Sequence, residues 1–184
     1  MKTDRSKKGS FDEDIKPLLE VINSKEGYKT TSSCSGRIVI LDIPKAGDKK
    51  NARWLYTTHE KADAEKIIEI LNHIKKPVWL LQEPVILHVK CNNLDHAEAL
   101  LKTAQDCGFK RSGIFSLKNN AVELQSTERI ETLLTPGLDE KYVRLIVDAA
   151  QKKLDRTKEK IKRLEMKLLI KNENRLLDHD ILQQ

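Results

Sequence analysis

Apolar residues recur at helical spacing in three separated stretches of the first 137 residues. In the first stretch, Ser10 and Glu13 have the spacing of a capping box, which predicts a helix that begins near Ser10. Pro17 favours a later start or a bend, because proline lacks the N–H that a helix interior needs. The other two helices are predicted over residues 62–73 and 94–107, the last of them capped by Asn93 or Asp95.

Continuous or alternating apolar runs separate these helices and predict strands. Ser35-Gly36 predicts a tight turn that joins the first two strands as a hairpin, and residues 118–120 predict a second hairpin. Residues 82–84 are predicted either as the break between two strands or as a bulge in one long strand. Residues 133–137 are predicted to form a turn. The predicted strands are residues 28–33, 37–43, 53–58, 78–81, 84–89, 111–117 and 121–126.

This mixture of elements predicts an α+β fold, a two-layer α/β domain with mostly antiparallel strands. It is not predicted to be a Rossmann fold, because the chain has neither a Gly-x-Gly-x-x-Gly loop nor a Walker motif. Both halves contain a helix, a Ser-Gly pair and an apolar strand. The two matching runs, Ser35-Gly36-Arg37-Ile38 and Ser112-Gly113-Ile114, indicate an internal duplication of an α-β-β unit.

A long helix is predicted from Leu138 onward, where neither Gly nor Pro occurs. Its apolar residues form a narrow seam, which must pack on the α/β domain, on another chain or on both. We therefore divide the chain into an α/β domain, residues 1–137, and a long basic helix packed on it, residues 138–184, with a tail that frays from Asn172. The seam consists of Val143, Ile146, Ala150, Leu154, Thr157, Ile161, Leu164 and Leu168.

The basic charge of the chain is concentrated in this helix. The net charge is +6, and residues 151–175 contain ten Lys or Arg against four Asp or Glu, an excess of six. Such a segment predicts a polyanionic partner, although a solvated helix face is the simpler alternative. The residues that we expect to contact nucleic acid are Lys152, Lys153, Arg156 and Lys160.

Cysteine usage and hydropathy indicate a cytoplasmic protein. No apolar run reaches the roughly eighteen residues that span a bilayer, and the charged N-terminus lacks the apolar core of a signal peptide. Cys34, Cys91 and Cys107 are too few for a disulfide framework, and the chain has no zinc-ligand spacing, so no metal is expected. Cys91 and Cys107 have apolar neighbours and are expected in the core.

The run from Thr30 to Arg37 is polar and leads directly into the apolar strand 38–41. Its hydroxyls can donate and accept hydrogen bonds, Gly36 permits a close approach of a ligand to the backbone, and the Arg37 fork suits carboxylate or phosphate. The alternative is a hairpin turn with a surface arginine.

Three separated motifs carry a family resemblance. They are residues 4–38, with the run Thr30-Thr31-Ser32-Ser33-Cys34-Ser35-Gly36-Arg37 at their end, residues 83–89, and residues 108–114. In this order they resemble the third protein of the wybutosine pathway, a family of tRNA methyltransferases. The resemblance covers most of the chain up to about Ser126.

The resemblance implies that residues 1–137 catalyse a methyl transfer from S-adenosylmethionine on a fold unrelated to the Rossmann type. The acceptor would be N4 of 7-(3-amino-3-carboxypropyl)-4-demethylwyosine, next to the anticodon of phenylalanine tRNA. The expected partner is therefore this tRNA, and the C-terminal helix is a candidate homodimer contact.

Methyl transfer needs alignment and, at some nitrogens, removal of a proton. His88 is the first candidate for the base because imidazole titrates near neutral pH; the alternatives are a structural role for His88 and His59 as the base. Nucleophilic catalysis by Cys34 is less favoured, because nitrogen methylation does not require it. The predicted catalytic residues are His88, Arg37 and Ser33, and the predicted cofactor-binding residues are Ser32, Ser35, Gly36, Ser112 and Gly113.

Two other functional classes remain open from the sequence. A non-catalytic RNA-binding module would explain the basic helix and the Ser/Arg run, but not the other two motifs. A coiled-coil interaction protein would make the long helix itself the functional part. Binding of S-adenosylmethionine separates the methyltransferase from both.

Overall fold

The structure, a computed structural model, describes residues 12–43 and 51–181, with side chains through Ile170. Ser10, the predicted helix cap, lies outside the described residues. None of the helices within the described ranges combines enough length with enough apolarity to cross a bilayer.

The described chain contains four α-helices and eight strands in two antiparallel sheets, so the predicted α+β class with mostly antiparallel strands is confirmed. The helices are α1 (Lys16–Asn23), α2 (Ala64–His73), α3 (Leu94–Asp106) and α4 (Glu140–Ile181). The strands are β1 (Tyr28–Cys34), β2 (Arg37–Asp42), β3 (Arg53–Thr58), β4 (Val78–Glu83), β5 (Ile86–Cys91), β6 (Gly113–Ser116), β7 (Ala121–Gln125) and β8 (Ile130–Leu134).

Two compact units share these elements. The first unit has the sheet order β1-β5-β7-β6 and includes α1, α3 and the end of α4. Its core is mostly aliphatic, in line with an aromatic content of 4%, and includes Leu18, Leu87, Leu100 and Val122. Its described residues are 12–35, 85–127 and 158–181.

The second unit has the sheet order β3-β2-β4-β8 and includes α2 and the beginning of α4. Ile38, Ile40, Ile67 and Leu80 lie in its core. Strand β8 is the element that the sequence-based prediction missed, because the pair at residues 133–134 was assigned to a turn. The described residues of this unit are 36–43, 51–84 and 128–157.

The predicted hairpin at Ser35-Gly36 is wrong. Strand β1 pairs with β5 in the first sheet, whereas β2 lies between β3 and β4 in the second. The continuous apolar run of β2 is buried on both faces, which suits a central strand, while the hydroxyl-rich β1 suits a sheet edge. Likewise β4 and β5 are two strands in different sheets, the first of the two alternatives considered. The hairpin of β6 and β7 is confirmed.

Helix boundaries follow local capping chemistry. Helix α1 begins at Lys16, with proline in its first turn, in agreement with the later start that Pro17 favours. Asn93 rather than Asp95 caps α3, because its side chain accepts a hydrogen bond from the N–H of His96 at 2.8 Å. Gly108 follows that helix with a positive φ of 98°.

The apolar seam of α4 enters both cores, as its narrow width requires. Val143 and Leu154 belong to the core of the second unit, and Ile161 and Leu164 to that of the first. The structure continues the helix through Ile181, where the sequence predicted fraying from Asn172. The division at residue 137 stays a prediction, as does the internal duplication: Gly113 begins an edge strand, whereas Arg37 begins a central one.

Gly36 combines a left-handed backbone with a crowded position for a side chain. Its φ is +92°, and a Cβ added there would lie 3.1 Å from the carbonyl oxygen of Glu83, 3.1 Å from Thr157 Cγ2 and 3.3 Å from Leu154 Cδ1. Gly137 also has a positive φ, 75°, but nothing lies within 4 Å of the corresponding position.

We expect Gly36→Ala to lower the free energy of unfolding more than Gly137→Ala does. Both changes cost about 1–2 kcal/mol for a left-handed alanine, and crowding adds roughly 1–3 kcal/mol at residue 36. Denaturant unfolding of the two variants measures the difference. Equal losses would show that the neighbours of Gly36 accommodate a methyl group.

Candidate functional site

One transverse row of residues crosses the first sheet. Strand pairing places Ser32 of β1 opposite His88 of β5, His88 opposite Glu123 of β7, and Glu123 opposite Gly113 of β6. Directly paired residues of antiparallel strands share one face of a sheet. The row therefore brings together three predicted site residues, Ser32, His88 and Gly113, with one that the sequence analysis missed.

The row lies on the face of the sheet that is turned away from the core. Along β5, Leu87 and Val89 are buried in the core, whereas Ile86 and His88 alternate with them and are partly exposed. This is the alternation with a period of two that any β-strand has. His88 is thus a half-buried residue of the open face, and not a core histidine.

His88 is fixed by two side chains. Its Nε2 lies 2.8 Å from Glu123 Oε2, and its ring centroid lies 4.8 Å from that of Phe115 at a tilt of 40°. An ionised carboxylate only accepts hydrogen bonds, so Nε2 carries the proton and Nδ1 of the neutral ring carries the lone pair. With a side chain that is 28% exposed, His88 remains accessible to a ligand.

Glu123 and Phe115 are the site residues that sequence reasoning missed. Glu123 interrupts an apolar strand between Val122 and Leu124, the same signal that singled out His88. Phe115 is one of only three phenylalanines in the chain, and it is 57% exposed. An exposed aromatic side chain in so aromatic-poor a chain is itself a signal for a binding role.

Two of the predicted cofactor residues already use their hydroxyls within the first unit. Ser35 is fully buried, and both its N–H and its Oγ–H donate to Asp12 Oδ2, at 2.9 and 3.1 Å. Ser112 Oγ donates to the carbonyl of Phe109 and accepts from the N–H of Gln125. These bonds hold the ends of strands in place, and a cofactor-binding role for either serine stays a prediction.

Ser33 is separated from His88 by strand alternation. It pairs with Leu87, so its side chain lies on the core side of the sheet, while Ser32 shares the face of His88. The Oγ atom of Ser33 is buried and makes no hydrogen bond among the described residues. The structure does not bring Ser33 and His88 together, and a catalytic role for Ser33 stays a prediction.

Arg37 lies in the second unit, where a carboxylate and an aromatic ring hold its guanidinium. Its Nε lies 2.5 Å from Glu83 Oε2, opposite it on the neighbouring strand, and its Cζ lies 4.6 Å from the ring centroid of Trp54. Trp54 is 52% exposed, so it does not pack in the core of this unit. A guanidinium stacked on an indole keeps its plane fixed while its edge stays available.

His59, the alternative base, contacts the backbone of the Ser/Arg run. Its Nδ1 lies 3.0 Å from the carbonyl oxygen of Gly36, both in the second unit. Because a carbonyl accepts, Nδ1 carries the proton. Gly36 is thereby engaged as an acceptor as well as crowded by Leu154 and Thr157, and its predicted cofactor contact remains to be tested.

The basic face of α4 is partly neutralised by acidic side chains. Lys152 pairs with exposed Asp148 at 2.7 Å. Lys153 and Arg156 both approach Glu128, at 3.5 and 3.3 Å, and the Glu128 side chain is only 12% exposed. These two of the predicted RNA-binding residues therefore balance a buried charge.

Three further residues from the sequence analysis, Lys160, Cys91 and Cys34, belong to the first unit. Lys160, the fourth predicted RNA contact, lies in the first unit with its Nζ 3.4 Å from Thr127 Oγ1. Burial raises the pKa of the Cys91 thiol to about 11, which fits the small core residue that the sequence predicts. Cys34, in contrast, is half-buried and pairs with Ile86 on the face that carries His88.

Comparisons with known proteins support the family resemblance that the three sequence motifs indicate. The family described as Methyltransferase TYW3 matches residues 1–170. The chain belongs to this family. A tRNA(Phe) 7-((3-amino-3-carboxypropyl)-4-demethylwyosine(37)-N(4))-methyltransferase 1 of Pyrococcus horikoshii is 44% identical over 169 residues, covering 88% of this chain and 86% of that protein. The resemblance stated from sequence is thus confirmed.

Two further relatives of the Methyltransferase TYW3 family extend the match. A tRNA wybutosine-synthesizing protein 3 homolog of Xenopus laevis is 37% identical, covering 88% of this chain and 68% of that protein. A solved structure of a Pyrococcus horikoshii protein superposes with a TM-score of 0.81 at 45% identity, covering 88% of this chain and 87% of that one. The fold described above is therefore a known fold of this family.

We expect the double change Lys153→Gln and Arg156→Gln to lower the free energy of unfolding by about 1–3 kcal/mol, because Glu128 loses two charged partners while it stays buried. Adding Glu128→Gln should restore most of the loss. Lys152→Gln is the matched control and should stay within about 0.5 kcal/mol, since its partner is exposed. Thermal unfolding measures all three. A double variant as stable as the control would make these cations dispensable for folding.

Proposed function

We propose that this chain is an S-adenosylmethionine-dependent methyltransferase that methylates N4 of 7-(3-amino-3-carboxypropyl)-4-demethylwyosine in phenylalanine tRNA. The observation that carries the chemistry is the His88–Glu123 pair on the open face of the first sheet. We infer the substrate from a relative that is 44% identical and whose name states this activity.

His88 acts as the base in this proposal. Nitrogen attacks more readily as its proton leaves, and the lone pair on His88 Nδ1 accepts that proton from N4. Glu123 orients the ring through Nε2 and stabilises the imidazolium that forms, so it is a positioning residue. A base fixed by a carboxylate on one side and by Phe115 on the other requires little reorganisation during the reaction.

The chemistry of the open face fits S-adenosylmethionine. When bound, this cofactor supplies an electrophilic methyl group on a positively charged sulfur. Ser32 offers a hydroxyl, Glu123 a negative charge, and Phe115 an aromatic face, which suit the ribose, the cationic groups and the adenine respectively. Nothing lies within 4 Å of the position where a Cβ of Gly113 would be, so the backbone there is open to close approach.

Arg37 is proposed to bind an anionic group, either the methionyl carboxylate of the cofactor or a tRNA phosphate. Both groups accept the two parallel hydrogen bonds that a guanidinium donates. The ion pair with Glu83 and the stacking on Trp54 hold the fork before the ligand arrives.

The remaining proposals concern tRNA binding and assembly. On α4, exposed Lys152, Lys162 and Arg163 are the cations best placed for phosphate contacts, since Lys153 and Arg156 face Glu128.

A homodimer through α4 is supported by apolar side chains that are exposed on this helix, such as Met166 and Ile170. A cytoplasmic location follows from the tRNA substrate.

The decisive experiment is a methyl-transfer assay on phenylalanine tRNA that carries the demethylated precursor, with unmodified transcript as the control substrate. Incorporation of labelled methyl into the precursor alone supports the proposal. Tight tRNA binding without transfer, in the presence of the methyl donor, would favour the RNA-binding module.

We expect His88→Ala to lower the maximal rate by about a hundredfold or more, which is typical for the loss of a general base. The acidic limb of the pH–rate profile should disappear, and the dissociation constant of the cofactor should change far less. Glu123→Gln keeps an acceptor but removes the charge, so it should lower the rate by a smaller factor. Lys90→Ala, an exposed position on the same strand face, is the control. Near-native turnover of His88→Ala with the limb intact would leave His59 as the base to test.

Arg37→Lys should lower kcat/KM by about 10- to 100-fold while the fold stays intact, because lysine keeps the charge but loses the fork. Arg129→Lys is a matched control, since Arg129 forms an exposed pair with Glu131 at 2.7 Å in the same unit. If both variants retain turnover and cofactor affinity, Arg37 is a surface residue without a binding role.

A further inference from the structure

A cavity of about 960 Å³ lies in the second unit, between α2, β3 and residues 74–78. Its volume is in the range of known ligand sites. Leu55, Tyr56, Ile70 and Ile74 form much of its wall, and none of the residues assigned above to catalysis or to cofactor binding lines it. Strand pairing places Arg53 of β3 beside Asp42 on the cavity side, whereas Trp54 pairs with Leu41 and lies under Arg37.

Cations outnumber acids in this lining. Four Lys or Arg and two Asp or Glu line the cavity, a formal excess of two positive charges. Asp42, only 3% exposed, pairs with Arg53 at 2.6 Å and with Lys76 at 2.7 Å. The hydrogen bonds from Lys76 and Arg53 lower the pKa of Asp42, so its carboxylate stays charged and anchors both cations. The other two cations are Lys66 and Lys75.

The aromatic and imidazole rings of the wall are held in place by backbone groups. The hydroxyl of Tyr56 accepts a hydrogen bond from the N–H of Asp63 at 2.8 Å. His73 Nδ1 lies 2.8 Å from the carbonyl oxygen of Glu69. The cavity therefore presents fixed rings and aliphatic side chains beneath a cationic rim, a combination suited to a ligand with an apolar planar part and an anionic part.

The cationic rim is open to solvent. The side chains of Lys66 and Arg53 are 69% and 72% exposed. A site for a small free metabolite usually encloses its ligand, whereas an open rim lets a polymer enter and leave. Exposed lysines at the mouth of an apolar cavity match a phosphodiester chain from which one nucleotide is turned inward.

We propose that this cavity binds one nucleotide of the tRNA, other than the nucleotide that is methylated. The base and ribose of this nucleotide would lie against Tyr56 and Ile74, and its phosphate would lie at Lys66 and Lys75. This inference rests on the proposed function for the identity of the RNA. It adds a second tRNA contact, built from residues other than the His88 row and the basic face of α4.

Binding of phenylalanine tRNA transcript to charge-reversed variants tests the proposal. The double variant Lys66→Glu and Lys75→Glu should bind at least about tenfold more weakly near physiological salt. Its slope of log affinity against log salt should become shallower by about one to two, because one or two phosphate contacts are lost. The matched control, Lys61→Glu with Lys141→Glu, reverses two exposed cations of the same unit that do not line the cavity.

The apolar wall requires its own variant. Ile74→Ala should weaken tRNA binding without changing the salt slope, since it removes contact area but no charge. Unfolding curves confirm that each variant is folded. Equal tRNA affinity and equal slopes for the cavity double variant and its control would overturn the proposal, as would an Ile74→Ala variant with native affinity.

Binding of adenosine monophosphate tests whether the cavity takes a nucleotide of the tRNA or a free nucleotide. Binding of the free nucleotide at micromolar concentration that is lost in the cavity double variant, and that tRNA does not displace, would assign the cavity to a metabolite and overturn the tRNA assignment. Methyl transfer by the unaltered chain is measured separately. If that transfer fails while the cavity variants still lose tRNA affinity, the proposed function fails and this inference stands; if transfer succeeds and the variants bind normally, only this inference fails.

Discussion

The burial of the apolar seam of α4 is the interaction on which the rest of the structure depends. Leu154 closes the core of the second unit, and Ile161 and Leu164 close that of the first. Each such side chain contributes about 1.5–3 kcal/mol when it leaves water. Because helices cover one face of the first sheet, its other face is left to carry the His88 row. In the second sheet β2 is buried on both faces, and the Arg37–Trp54 pair lies where this strand begins.

Periodicity predicted the faces of the strands better than turn signals predicted their partners. Once residues 84–89 are taken as a strand, alternation places His88 on the face opposite to Leu87 and Val89, and the structure agrees. Ser35-Gly36 has the composition of a hairpin turn, yet the strands it joins belong to different sheets. A local turn signal reports a change of direction, whereas the choice of a partner strand depends on burial across the whole sheet.

The candidate site shows the same limit. Ser32, Ser33 and Ser35 of the hydroxyl-rich run were all predicted to be site residues, but strand alternation places Ser32 and Ser33 on opposite faces, and Ser35 donates to Asp12. Glu123 lies 35 positions from His88 in the sequence and meets it only through strand register. Such a pairing is set by the long-range pairing of β5 with β7, so no local pattern could have identified it.

The two units are interleaved along the chain, since residues 36–84 and 128–157 of the second are nested between segments of the first. Neither unit corresponds to a continuous stretch of the gene. Recombination that exchanges contiguous segments between genes therefore cannot transplant the His88 row or the Arg37 pair with an intact core around it. The surface with the His88 row and the surface with the Arg37–Trp54 pair are therefore inherited together or lost together. Sequence changes in one unit are retained only while the other unit still folds.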